Sequence, residues 1–157
     1  MDIRLATRDD IDLLVQVRRD FNNELHPDAV EDHARFNGQF RAYLSSRIDS
    51  GQFSAVLGLV DDGQGRPELV SAAFLLEEDC PPDCSLPQGK LGKLINVYTY
   101  PPYRRQGYAR QVLDALLAQA RRWGFDAVEL EATEMGRGVY DQIGFEPREY
   151  TLMRLTF

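Results

Sequence analysis

Cysteine is scarce in this chain: Cys80 and Cys84 are the only two among 157 residues. They fall in the proline-rich stretch Glu78-Asp79-Cys80-Pro81-Pro82-Asp83-Cys84, and neither His26 nor His33 lies nearby in sequence. A structural zinc site needs about four ligands, so no metal site is expected and the pair reads as two loop thiols, with a local disulfide or a redox role as the alternatives. Long apolar runs are also missing. Nothing approaches the ~18 consecutive apolar residues of a membrane span, and Met1-Asp2-Ile3-Arg4-Leu5 lacks the basic stretch, apolar run and cleavage site of a secretory signal. The expectation is a cytoplasmic protein with no membrane partner. Basic residues are outnumbered, 18 Lys and Arg against 25 Asp and Glu, for a formal charge of -7. Such a surface repels polyanions as a whole, which argues against a nucleic-acid partner. Two phosphate-binding patterns are absent as well. There is no Gly-x4-Gly-Lys-Ser/Thr run, and the glycines of a dinucleotide fingerprint are lacking.

What remains is an ordinary globular composition, 43% hydrophobic and 27% charged. The length fits a single domain over 1–157. Ile3-Arg4-Leu5 alternates like a short strand, and Thr7-Arg8-Asp9-Asp10 places an acid three residues after a Thr, a variant of the helix-opening capping box. The first helix carries Ile11, Leu14, Val15, Phe21 and Leu25 largely on one face and ends at His26-Pro27. A second helix runs from about Asp32 to Ile48, with the aromatic-rich stripe Phe36, Phe40, Tyr43, Leu44 and Ile48 read as core rather than ligand pocket. Phe53 to Val60 and Glu68 to Glu77 form a hairpin around Asp61-Asp62-Gly63-Gln64-Gly65, and Glu78 to Gly89 is an irregular loop. Lys90 to Tyr100 is a strand, Gly107 to Trp123 a strongly amphipathic helix stopped by Gly124, and Asp126 to Ala132 a strand. Val139 to Ile143 is a short helix closed by Gly144, and Tyr150 to Phe157 a final strand. Antiparallel hairpins followed by a strand-helix-strand crossover predict a mixed α/β fold with helices on both faces of the sheet.

The informative stretch is Tyr98-Thr99-Tyr100-Pro101-Pro102-Tyr103-Arg104-Arg105-Gln106-Gly107-Tyr108-Ala109, where a strand gives way to a basic, small-residue turn and then to the strongest helix. The first turn of a helix has amide groups without intrahelical partners, and the macrodipole adds roughly half a positive charge, so an anion placed there meets oriented donors. Small residues at Gly107 and Ala109 let an anion approach the backbone, and Arg104, Arg105 and Arg110 can add charge-assisted bonds.

This stretch resembles the signature of the GCN5-related N-acetyltransferases: Arg or Gln, two residues, Gly, one residue, then Gly or Ala. Arg104-Arg105-Gln106-Gly107-Tyr108-Ala109 matches it, with its upstream Pro101 and Tyr103. A second element of that family, an aromatic-led short helix ending in Gly-Phe, is matched by Val139-Tyr140-Asp141-Gln142-Ile143-Gly144-Phe145. The order of strands and helices agrees from end to end. Two departures stand out: Arg105 occupies a position that is often Gly, and Thr133-Glu134-Met135-Gly136-Arg137-Gly138 occupies a segment that often starts with a cofactor-contacting Asn.

The resemblance implies a mostly antiparallel sheet of about six to seven strands, splayed at the cofactor strand and flanked by about four helices. It implies acetyl-CoA as acyl donor, with Val97, Tyr98 and Thr99 bonding the pantetheine arm as an added strand would, and Arg104, Arg105, Gln106, Gly107, Tyr108 and Ala109 holding the pyrophosphate. An amide near Tyr98 would stabilise the developing oxyanion, and Tyr140 would protonate the departing thiolate. No single base stands out among Glu129, Glu131, Glu24, His26 and a water chain. The implied reaction is acetyl transfer to a primary amine of a small molecule or protein by direct attack in a ternary complex; a non-catalytic acyl-CoA sensor is the alternative. Glu24, Asp28, Glu31 and Asp32 make the acceptor side acidic, which favours a cationic acceptor. An exposed final strand offers a pairing edge for a homodimer.

Overall fold

The computed structural model describes residues 1–149 and 152–156. Strand β1 (Asp2–Leu5) is followed by helices α1 (Ile11–Leu25) and α2 (Val30–Arg47), then strands β2 (Phe53–Asp61), β3 (Pro67–Asp79) and β4 (Lys90–Thr99). Helix α3 (Tyr108–Arg122), strand β5 (Ala127–Leu130) and helix α4 (Glu134–Ile143) complete the order. The expected capping box forms where Thr7 precedes α1, and Arg4 clamps the same corner, its two terminal nitrogens each 2.7 Å from one oxygen of Asp10. The hydrogen bond from Arg4, aided by the Thr7 amide, holds the Asp10 carboxyl down to about 2 against the opposing effect of burial.

The described strands form a five-stranded sheet in sequence order, antiparallel except for the last pair. Alternation along β3 serves both faces, as a pleated strand requires. Phe74 packs with Leu14, Val17, Leu44 and Phe53 under α1 and α2, whereas Ala73 and Leu75 pack with Val112, Leu113 and Leu116 of α3. The aromatic stripe of α2 joins the first core through Leu44, Phe40 and Tyr43, but its leading residue, Phe36, stays exposed.

Two irregularities in the sheet position everything that follows. Ala72 pairs with Tyr98 and Phe74 with Ile95, so Asn96 and Val97 both stand opposite Ala73 in a bulge, with Asn96 at φ 49°. The parallel pairing of β4 with β5 runs only from Leu91–Ala127 to Leu94–Leu130. Beyond that point Ile95 to Thr99 continue without a β5 partner, and the expected splay at this strand is present.

Two expectations need correction. Five strands, not six to seven, are formed among the described residues. Of the expected final strand, Tyr150, Thr151 and Phe157 lie outside the described residues, and Leu152 to Thr156 take no strand structure, with Met153 88% exposed. An apolar, β-prone segment becomes a strand only where an edge receives it. Helix α4 starts at Glu134 instead of Val139, because Thr133 caps it by accepting from the Gly136 amide at 3.2 Å. Gly136 and Gly138 hid that first turn, since each glycine costs a helix interior about 1 kcal/mol relative to alanine.

Candidate active site

Where β4 parts from β5, a cleft of about 730 Å³ opens between the end of α1, the bulged half of β4, the N-terminus of α3, and α4. The turn that delivers the chain from β4 to α3 requires two left-handed residues, Arg105 at φ 60° and Gly107 at φ 79°. Only glycine reaches this region without steric cost, which gives a physical reason for a glycine at position 105 in related patterns. Arg105 takes the same conformation with its side chain exposed. Gly107 is the N-cap of α3, and a Cβ there would meet only Gln111 Nε2 at 4.0 Å. The first-turn amides of α3 are therefore presented without a covering side chain.

Of the site residues expected from sequence, Val97, Tyr98, Thr99, Arg104, Arg105, Gly107, Tyr108, Ala109 and Tyr140 all border this one cleft. Gln106 does not. Its side-chain amide turns back to donate to the Pro102 carbonyl at 3.3 Å.

The charged groups are largely committed to one another. Arg104 donates through Nε to the Thr99 carbonyl at 2.8 Å and through Nη2 to both oxygens of Glu24 at 2.7 and 2.6 Å. The Tyr98 hydroxyl donates to the same carboxylate at 3.0 Å. Arg104 holds Glu24 below the usual carboxylate range, while burial and the Glu24 contact push the Tyr98 phenol up to about 12. Tyr100 donates to Asp20 at 3.0 Å and is likewise pushed up by burial. Arg110 bonds Asp114 and, at 3.2 Å, the Gln142 carbonyl, which ties α3 to α4 across the cleft mouth.

The other residues weighed as proton acceptors separate here. Glu24 and Glu131 border the cleft, Glu131 pairing with Lys93 at 3.7 Å, whereas Glu129 and His26 do not. Of the acidic stretch that favoured a cationic acceptor, only Glu24 reaches the cleft, and its charge is offset by Arg104.

Tyr140 stands on the α4 side. Side chains on a helix lean toward its N-terminus, so the ring covers the turn at Gly136, where a Cβ would come 2.9 Å from the ring edge. Phe145 packs edge-on at 5.9 Å between centroids, and burial raises the phenol above its ordinary value.

Phe21 and Leu25, in the helix region expected to meet the acceptor, border the cleft, whereas sequence reasoning missed Asn96, Met135 and Gly136. Asn96 carried a readable signal, because Asn is depleted in strands and stood within an otherwise β-prone run. Met135 and Gly136 become cleft residues only when α4 packs beside β4.

The sequence matches the acetyltransferase (GNAT) family over residues 14–145. No curated protein matches it. Among solved structures, a predicted acetyltransferase from Clostridium acetobutylicum, determined with acetyl-CoA, has a TM-score of 0.83 at 24% identity, covering 98% of this chain and 95% of that one. A GCN5-related N-acetyltransferase from Ralstonia eutropha has a TM-score of 0.82 at 24% identity, covering 98% and 97%. A ribosomal-protein-alanine N-acetyltransferase from Brucella melitensis has a TM-score of 0.65 at 18% identity, covering 100% of both chains. These likenesses establish a shared fold. With the family match spanning most of its length and the splayed strand leading into the uncovered N-terminus of α3, this chain belongs to the GNAT acetyltransferase family.

Proposed function

We propose that the chain is a single-domain N-acetyltransferase that moves an acetyl group from acetyl-CoA to a primary amine of a small molecule or protein by direct attack in a ternary complex. The observation that carries this reading is the continuity of one cleft. It joins the unpaired edge of β4, the open first turn of α3, and Tyr140. These features fit acetyl-CoA, since a free strand edge accepts an amide-bearing arm and an uncovered helix N-terminus accepts phosphate.

Acetyl-CoA supplies the thioester whose acyl carbon the amine attacks, with the C–N bond forming as the C–S bond breaks. The backbone of Val97, Tyr98 and Thr99 orients the pantetheine arm, and the turn Arg104 to Ala109 holds the pyrophosphate through its amides. Gln106 serves there through its backbone, because its side chain is bonded to Pro102. An amide near Tyr98 stabilises the oxyanion that develops at the carbonyl. Tyr140, a phenol that is protonated at neutral pH and whose pKa burial raises further, gives its proton to the leaving sulfur. The proton lost from the attacking nitrogen passes to Glu24, Glu131 or water.

Replacing Tyr140 with Phe tests the assignment. Loss of a general acid lowers kcat by about 10²-fold or more, with acetyl-CoA affinity within about twofold of wild type by calorimetry. An unchanged kcat removes Tyr140 from the mechanism.

A further inference from the structure

Two polar side chains beside the cleft lack the partners that their chemistry demands: Asn96, which borders it, and Arg18, which lies behind Asn96 and does not line the cleft. Arg18 reaches from α1 to the bulge of β4, donating through Nη1 to Asn96 Oδ1 at 2.6 Å, and its guanidinium lies over the Phe40 ring at 4.8 Å. Its neighbours Arg4, Arg8 and Arg19 each hold a carboxylate, yet none among the described residues pairs with Arg18. Burial works against its charge, with no carboxylate to offset the cost.

Asn96 borders the cleft, is only 3% exposed, and its Nδ2 has no hydrogen-bond partner among the described residues. The amide cannot be turned round to repair this. A guanidinium only donates, so Oδ1 must face Arg18 and the unpaired atom must be the donor. The pair is therefore a donor-only cluster of charge +1 with no acceptor of its own. It sits beside Val97, where the donor arm is placed, and α1 carries on from Arg18 to Phe21 and Leu25, which border the same cleft. The nearby carboxylate of Glu24 gives no help, being held by Arg104 and Tyr98.

We propose that Arg18 and Asn96 receive an anionic group of the acceptor, so that the amine acetylated by this protein also carries a carboxylate, as an amino acid does. A carboxylate matches the planar fork of a guanidinium and supplies one negative charge for one uncompensated cation; a phosphate dianion brings an excess. The closeness of Asn96 to the Val97 backbone places that carboxylate near the nitrogen that is acetylated. This assignment rests on the acetyl-transfer reading, but the donor cluster belongs to the chain and can be probed without turnover.

The test is calorimetric titration, with and without saturating CoA, of N-acetylated amino acids against the matching N-acetylalkylamines that lack the carboxylate. The expected result is binding tighter by about tenfold or more with the carboxylate present, a preference lost in Arg18→Met. Asn96→Asp gives Arg18 an internal anion, so it should raise the melting temperature of the free protein while abolishing the preference. This second variant keeps the test decisive if Arg18→Met folds poorly. Equal binding of the two series, no binding of either, tighter binding of phosphorylated amines, a preference that survives Arg18→Met, or a lowered melting temperature in Asn96→Asp each overturns the proposal. A parallel titration with acetyl-CoA reads the donor site separately. Its failure would strike the acetyl-transfer reading, whereas normal acetyl-CoA binding without carboxylate dependence would strike this proposal alone.

Discussion

Gly136 and Tyr140 lie one turn apart on α4, and the space left by the missing side chain is occupied by the phenol ring. In Gly136→Ala the new methyl meets the far end of a movable side chain, so the fold is kept and the hydroxyl is displaced. We expect kcat to fall by about tenfold, since a misplaced group loses most of a proton-transfer contribution, and we expect no further loss when the change is made in Tyr140→Phe. Gly138→Ala, where a Cβ meets nothing within 4 Å, is the control. Equal losses from Gly136→Ala in both backgrounds would show an effect on α4 rather than on the phenol. A second residue-scale prediction concerns Asp10. Its folded pKa of about 2 lies below its ordinary 3.8, so its contribution is complete above the ordinary value and is lost as pH falls through the folded one. Stability should decline between about pH 5 and 2. Asp10→Asn should cost about 1–2 kcal/mol at pH 7, discounted for the exposure of Arg4, and should flatten the acid limb of a denaturation series.

At the scale of elements, α3 does two jobs: its apolar face closes the second core and its N-terminus opens on the cleft. Leu113 is fully buried there, and Leu113→Ala should cost about 2–5 kcal/mol in urea unfolding. Gly107→Ala bears instead on the turn. A left-handed φ costs a residue with a Cβ about 1–2 kcal/mol, so modest destabilisation is expected with weakened cofactor binding. The elements legible in the sequence were those with their own periodicity or caps: α1 with its Thr7 corner, α3 with its apolar face, and the β2–β3 hairpin. The start of α4 was hidden by two glycines, and strand pairing at the C-terminal end depends on an edge that no local pattern announces. The site divides the same way. The turn from Tyr98 to Ala109 is one contiguous run, so its chemistry could be read directly, whereas Arg18 and Asn96 meet only through the packing of α1 on the bulge, across a wide sequence separation.

For the whole molecule, the acidic charge of -7 and the cationic turn before α3 are complementary facts. The surface repels anions in general, and at this turn Arg104 and Arg110 are held by Glu24 and Asp114, so the proposed donor site relies mainly on helix amides and its binding should weaken only moderately with salt. The cleft is lined from α1 on one face of the sheet and from α3 and α4 on the other, where β4 and β5 separate; under the proposed function, donor and acceptor meet at the bulge between them. The most direct measurement is calorimetric titration of the purified protein with acetyl-CoA, repeated on Gly107→Glu, which sets bulk and negative charge at the N-terminus of α3. The account predicts saturable one-to-one binding by the wild type and a loss of about a hundredfold or more in the variant. Equal affinity in the two proteins, or no binding by the wild type, would contradict it.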